Sequence, residues 1–133
     1  MNRLKTAIML SAKGPATETK PGTFVRTFCF ASDFIGFAGH FPGYSVLPAF
    51  IQVMTALAMA EEVKGRGIEL ISLVKAKFRA VIRPDTDIEV QYRERTVAGG
   101  TGLEATLSVA GEVAAFFLLT FAEGPEKRLR NDA

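Results

Sequence analysis

The stretch "PAFIQVMTALAMAEEVK", residues 48–64, decides how this chain folds. Pro48 suits the first turn of a helix, where its missing N–H costs nothing. Gly65 and Gly67 supply the stop. Between them the residues are apolar almost all round, with only Gln52 and Thr55 polar before Glu61. A helix on a protein surface shows one polar face. This pattern instead predicts a helix over Pro48 to about Lys64 that protein wraps on most sides, with only its last turn, Glu61 to Lys64, wet.

The flanking sequence supplies the wrapping. "TFVRTFCFA" (23–31) is rich in β-branched and aromatic residues and reads as a strand. Residues 4–11, "LKTAIMLS", read as a short strand before it, and the polar "AKGPATETKPG" between them reads as a loop. After the helix, "LISLVKAKFRAVIR" (70–83) alternates. Ser72, Val74, Ala76, Phe78, Ala80 and Ile82 form an expected core face, and Leu73, Lys75, Lys77, Arg79, Val81 and Arg83 a basic one. "RPDTD" is a turn, "IEVQYRERTV" alternates again, and "AGGTG" is a hairpin connection. "LEATLSV" and "VAAFFLLTF" make a last pair around "AGE". Two strands, an enclosed helix and four more antiparallel strands give an α+β fold, one sheet curling around one helix. The expected organisation is a single domain over residues 1–123 and a frayed tail over 124–133.

Composition narrows the function classes. A net charge of +2 is too small to argue for nucleic acid. The longest dense apolar run, Val113 to Phe121, is strand-sized, so no membrane span is expected, and "AIML" near the start is too short for a secretory signal. The lone Cys29 excludes an internal disulfide and fits a reducing cytoplasm. One Cys and one His argue against a protein-only metal site. Eleven Phe against two Tyr and no Trp bring bulk without a polar handle, which suits a greasy interior or a lipid-lined cavity.

The only histidine, His40, stands in "GHFPGYSVLP" (39–48), a turn punctuated by glycine and proline just ahead of the helix. An imidazole is a candidate general base because its ordinary pKa lies near working pH. Gly39, Pro42 and Gly43 restrict or shape the backbone around it. The plainer alternative is a histidine satisfied by backbone hydrogen bonds in a tight turn.

The "GHFPG…P" turn before an apolar helix, within this strand order, resembles the hot-dog-fold 3-hydroxyacyl-acyl-carrier-protein dehydratases. The likeness runs from about Thr23 to Glu123 and is supported by "KAKFRAVIRPDTDIEV". It implies a hot-dog fold, a curved antiparallel sheet around one long central helix. It also implies a homodimer or dimer-based oligomer, with an acyl tunnel between the His turn of one protomer and the helix of the other. The substrate would be a 3-hydroxyacyl thioester on acyl carrier protein, in fatty acid or polyketide- and polyene-type synthesis. No cofactor is implied beyond the phosphopantetheine arm that arrives with the carrier, and no metal.

Carried over residue by residue, the resemblance makes His40 the base and the backbone N–H of Ala49 the oxyanion donor, with Gly39, Phe41, Pro42, Gly43 and Pro48 shaping the turn. Two positions depart mildly from the family's pattern, which favours glycine at Ala49 and proline at Ser45. A third departs sharply. The family's acidic residue lies fourteen positions after the histidine, and here that position is Met54. A thioether neither donates a proton nor holds a water as a carboxylate does. Gln52, the one polar side chain deep in the first helical turns, is the substitute candidate for holding a substrate hydroxyl or a water. Glu61 and Glu62 lie about 10–12 Å further along the helix, and Asp33 is better suited to capping its loop. Lys75, Lys77, Arg79 and Arg83 are candidate contacts for an acidic carrier protein, although a strand's charged face is ordinarily just solvated. Two other readings stand beside the lyase: a non-catalytic acyl-binding subunit paired with a catalytic homologue, and a hot-dog thioesterase.

Overall fold

Pro48 and Gly65 bound the helix as their chemistry requires. In the computed structural model, which describes residues 3–37, 43–98 and 100–126, Pro48 is extended at φ −62° and ψ 152° and begins the helix. Gly65 ends it in the left-handed region at φ 70°, its N–H donating to the Glu61 carbonyl at 2.8 Å. Gly39, His40, Phe41 and Pro42 lie outside the described residues, as does everything from 127 onward.

The elements in chain order are α1 (Arg3–Leu10), β1 (Ala12–Lys20), β2 (Thr23–Cys29), a 3-10 turn (Ile35–Phe37), α2 (Ala49–Lys64), β3 (Arg66–Phe78), β4 (Asp87–Val97), β5 (Gly100–Val109) and β6 (Glu112–Glu126). The six strands form one antiparallel sheet in the order β1-β2-β4-β5-β6-β3. From Ile51 to Glu61 every residue of α2 except Met54 is buried, so the absence of a polar face is answered by enclosure on nearly all sides. The sheet contributes Ile88, Val90, Leu103, Leu107, Phe117 and Leu119 to that core. Ile8 of α1, fully buried, closes it from outside the sheet. Phe28, Phe30, Phe34 and Phe37 form a ladder of ring contacts at 4.6 to 6.2 Å between centroids, so part of the phenylalanine excess goes into ordinary packing.

Four local expectations are corrected. Residues 4–11 are helical rather than a strand, because Leu4, Ala7 and Ile8 recur at helical spacing and turn together onto the core. The polar stretch 12–22 carries β1 rather than a loop. As an edge strand it needs no alternating apolar face, and its pairing with β2 is irregular between Lys13 and Thr17, where Gly14 takes φ 71° ahead of Pro15. Strand β3 spans 66–78 rather than 70–83, and its alternation is broken twice, between Leu70 and Ser72 and between Leu73 and Lys75. Paired residues share a sheet face. Leu70, Leu73, Ala76 and Phe78 therefore lie with the buried Phe121, Leu119, Phe117 and Ala115, while Val74, expected in the core, is 56% exposed. Ser72 pairs with Thr120, their hydroxyl oxygens 2.7 Å apart. Strand β6 runs through Glu126, which pairs with Arg66.

Glu61 is the fourth correction, buried instead of wet. Its carboxylate accepts from Lys5 Nζ of α1 and from the Ile68 backbone N–H at 2.7 Å, tying α1, the end of α2 and the start of β3 together. Removing one partner of a buried pair leaves the others short of hydrogen bonds. Glu61→Ala is expected to cost about 2–3 kcal/mol in denaturant unfolding; an unchanged midpoint would show the carboxylate to be dispensable.

Candidate functional site

The amino end of α2 is where polar groups are left open. The first intrahelical bonds run from the N–H groups of Ile51 and Gln52 to the Pro48 carbonyl, at 3.1 and 3.2 Å. The N–H groups of Ala49 and Phe50 precede them and have no acceptor within the helix, at the positive end of its dipole. Ala49 is exposed. Pro48, the residue at the cap position, makes no side-chain capping bond.

Gln52 lies one turn inward and is 3% exposed. Its Nε2 donates to the Leu47 carbonyl at 3.2 Å, and its Oε1 is buried with no partner among the described residues. A buried carbonyl without a donor is costly, and this one belongs to a side chain lining a pocket of about 220 Å³ with Ala49, Leu47, Phe78 and Arg79. Thr55, the other polar residue of the helix before Glu61, is spent internally: its hydroxyl donates to the Ile51 carbonyl at 2.7 Å.

An apolar groove of about 440 Å³ adjoins this pocket, the two sharing Ala49 and Phe78. Met54 and Val53 line it from α2, and Leu70 and Leu73 from β3. Phe50, 60% exposed, stands at its rim. Leu73 reaches the groove only because the irregularities of β3 displace it from the face of the lysines. Among the described residues no Asp or Glu lines either cavity. Glu61 is engaged at the far end of the helix, and Glu62 and Asp33 are exposed. Among the described residues no three His, Cys, Asp or Glu converge as metal ligands.

The structure brings Gln52, Ala49, Pro48 and Met54 together and separates the basic residues. Lys75 and Lys77 pair with Leu118 and Phe116 on the sheet face opposite the groove, and both are exposed. Arg79 lines the Gln52 pocket. Arg83 instead donates through Nη1 to the Ser45 carbonyl and lies over the Tyr44 ring, 4.0 Å from its centroid. Tyr92, unremarked in the sequence, stacks on Phe24 near the carboxyl end of α2 and lines a separate 320 Å³ pocket. Burial pushes its phenol above the ordinary range, and its hydroxyl has no partner among the described residues.

The ApeI-like family model, described as ApeI dehydratase, matches residues 16–112. The 3-hydroxyacyl-[acyl-carrier-protein] dehydratase FabZ of Bacillus thuringiensis (strain Al Hakam) is 32% identical over 100 residues, covering 68% of this chain and 69% of the relative. FabZ of Bacillus anthracis (strain CDC 684 / NRRL 3495) is 30% identical over 99 residues, with the same coverage. Among solved structures, the dehydratase heterocomplex ApeI:P from Xenorhabdus doucetiae aligns with a TM-score of 0.67 at 15% identity, over 83% of this chain and 99% of that one. A hypothetical thioesterase with coenzyme A from Streptococcus pneumoniae TIGR4 aligns at 0.66 with 6% identity, over 94% and 97%. At such identities the structural likenesses establish the fold, a hot-dog, and nothing finer.

If the Gln52 carbonyl is kept for a ligand, the folded protein gains little from it. Gln52→Leu should change unfolding stability by less than about 1 kcal/mol, the lost bond to Leu47 being offset by removal of an unpaired oxygen. A loss well beyond that, read in urea titration, would mean the amide is fully used by the fold.

Proposed function

Because this chain belongs to the ApeI-like dehydratase family, we propose that it removes water from 3-hydroxyacyl thioesters borne on acyl carrier protein, in fatty acid or polyketide- and polyene-type synthesis. The observation that carries the reading is the unpartnered Gln52 oxygen beside the open start of α2, with an apolar groove adjoining both. The groove takes the acyl chain, and the carrier's phosphopantetheine arm brings the thioester to it without a cofactor of the protein's own.

In the proposed chemistry His40 removes the proton from the carbon next to the thioester carbonyl. The Ala49 N–H stabilises the enolate-like oxygen, as preorganised donors do. Gln52 Oε1 can only accept, so it is not the acid; it receives the O–H of the substrate's 3-hydroxyl and fixes that group's direction. His40 then returns its proton to the departing hydroxyl. One C–H and one C–O bond break, a C=C bond forms and water leaves.

Met54 favours a second reading. The position where a carboxylate is expected lies in a groove lined by no acid among the described residues, which suits a non-catalytic acyl-binding subunit paired with a catalytic homologue. A thioesterase ranks last, since an acid near the helix is its usual base or nucleophile. In either of the first two readings the exposed edge of β3, with Ile71, Val74 and Val81 open on or beside it, is the edge for dimer pairing. No helix is long and apolar enough to cross a membrane, and cytoplasmic residence accords with a single free Cys29.

Incubating the protein with 3-hydroxyacyl and enoyl thioesters separates the readings. Interconversion supports the lyase, thiol release the thioesterase, and binding alone the scaffold. His40→Ala is expected to lower dehydration by about 10²–10⁴-fold; a variant with full activity would remove His40 from the mechanism.

Delivery by an acidic carrier is proposed to use Lys75 and Lys77, which have no salt-bridge partner among the described residues, together with Arg79. Neutralising both lysines should raise the apparent KM for carrier-bound substrate at low salt and matter less at high salt, where charges are screened. An unchanged KM at low salt would reduce this face to simple solvation.

A further inference from the structure

Residues 43–48 link the histidine turn to α2 without regular secondary structure, and Gly43 begins them at φ 79°. What holds them comes from the segment after β3. Ile82, almost fully buried, accepts the Leu47 N–H at 2.8 Å. Arg83 donates to the Ser45 carbonyl and covers the Tyr44 ring. Asp85 donates its N–H to the Phe30 carbonyl at 2.7 Å, anchoring the same segment to the phenylalanine ladder. A guanidinium is suited to this double task, because its plane stacks on an aromatic ring while its edge keeps its donors. The path continues inward: the Leu47 carbonyl accepts Gln52 Nε2, which leaves Oε1 as the open acceptor.

We infer that Arg83 is a positioning residue for this site, fixing residues 44–47 and, through Leu47 and Pro48, both the direction of the Gln52 amide and the entry of the chain into α2. The inference rests on the dehydratase reading above, and it removes Arg83 from the carrier-binding stripe in which its sequence position put it. Small displacements of groups that hold a substrate cost rate out of proportion to their size.

The test compares Arg83→Ala and Arg83→Lys with the unaltered full chain on a diffusible 3-hydroxyacyl N-acetylcysteamine thioester and on the carrier-bound form. Arg83→Ala should lower kcat by about 10- to 100-fold on both, with KM for the diffusible substrate within about twofold. Arg83→Lys, which can reach the carbonyl but not stack as a plane, should recover part of the loss. Amide hydrogen exchange at Leu47 should quicken in Arg83→Ala by about tenfold or more, while the buried amides of residues 56–60 stay protected. An unchanged kcat, a defect confined to KM for carrier-bound substrate, or a loss that only tracks the unfolded fraction would overturn the inference. If the unaltered protein dehydrates neither thioester, the functional reading falls and exchange alone decides: a faster Leu47 amide upholds the positioning role, and an unchanged one ends it.

Discussion

The enclosure of α2 is the constraint on which the rest of this structure depends. A helix apolar around its whole circumference has no side to give to water, so the chain must cover it by other means. The sheet covers most of it, α1 brings Ile8, and the loop before the helix brings Phe30, Phe34 and Phe37. Burying such side chains is worth roughly 1.5–3 kcal/mol each, which makes enclosure the dominant favourable contribution and leaves few places where polar groups can sit. Gln52 and Glu61 are the conspicuous exceptions, and they differ in kind. Glu61 is satisfied by Lys5 and Ile68 and joins elements together. Among the described residues Gln52 is satisfied on one side only.

Where the chain's physics is local and strong, its sequence was legible. Pro48 and Gly65 bracket α2 through backbone preferences that no tertiary contact overrides, and the alternation of β4 reappears in its burial from Asp87 to Tyr92. Legibility failed where neighbours decide. The strand β1 is polar because it is an edge, and only its pairing with β2 makes it a strand. The helix α1 is eight residues long, too short for a helical period to stand out against an alternating one. In β3 the alternation is real along the chain, but two irregularities put Leu73 rather than Val74 on the inward face while Ala76 and Phe78 keep it, and nothing in the local composition marks them.

The site shows the same division. Gln52 could be singled out because an amide on an otherwise apolar helix needs partners, and the described residues supply one of them. Met54 could be recognised as the wrong residue for an acid, and it does lie among apolar neighbours. Arg83 could not be read correctly, since a charge at the end of an alternating run has the same appearance whether it faces a partner, water or a neighbouring loop. Its attachment to Tyr44 and Ser45 is a contact between segments 38 residues apart, and distance along the chain conceals it.

The strand order also sets a timetable for biosynthesis. The residues of α2 leave the ribosome well before β5 and β6, the strands that supply Leu103, Leu107, Phe117 and Leu119 to its surroundings. Until β6 has emerged, the apolar helix has no complete shelter, and β3 waits for β6 as its neighbour. A nascent chain of this topology is exposed to chaperones and to its own copies for most of its synthesis, as folds dominated by distant pairings are.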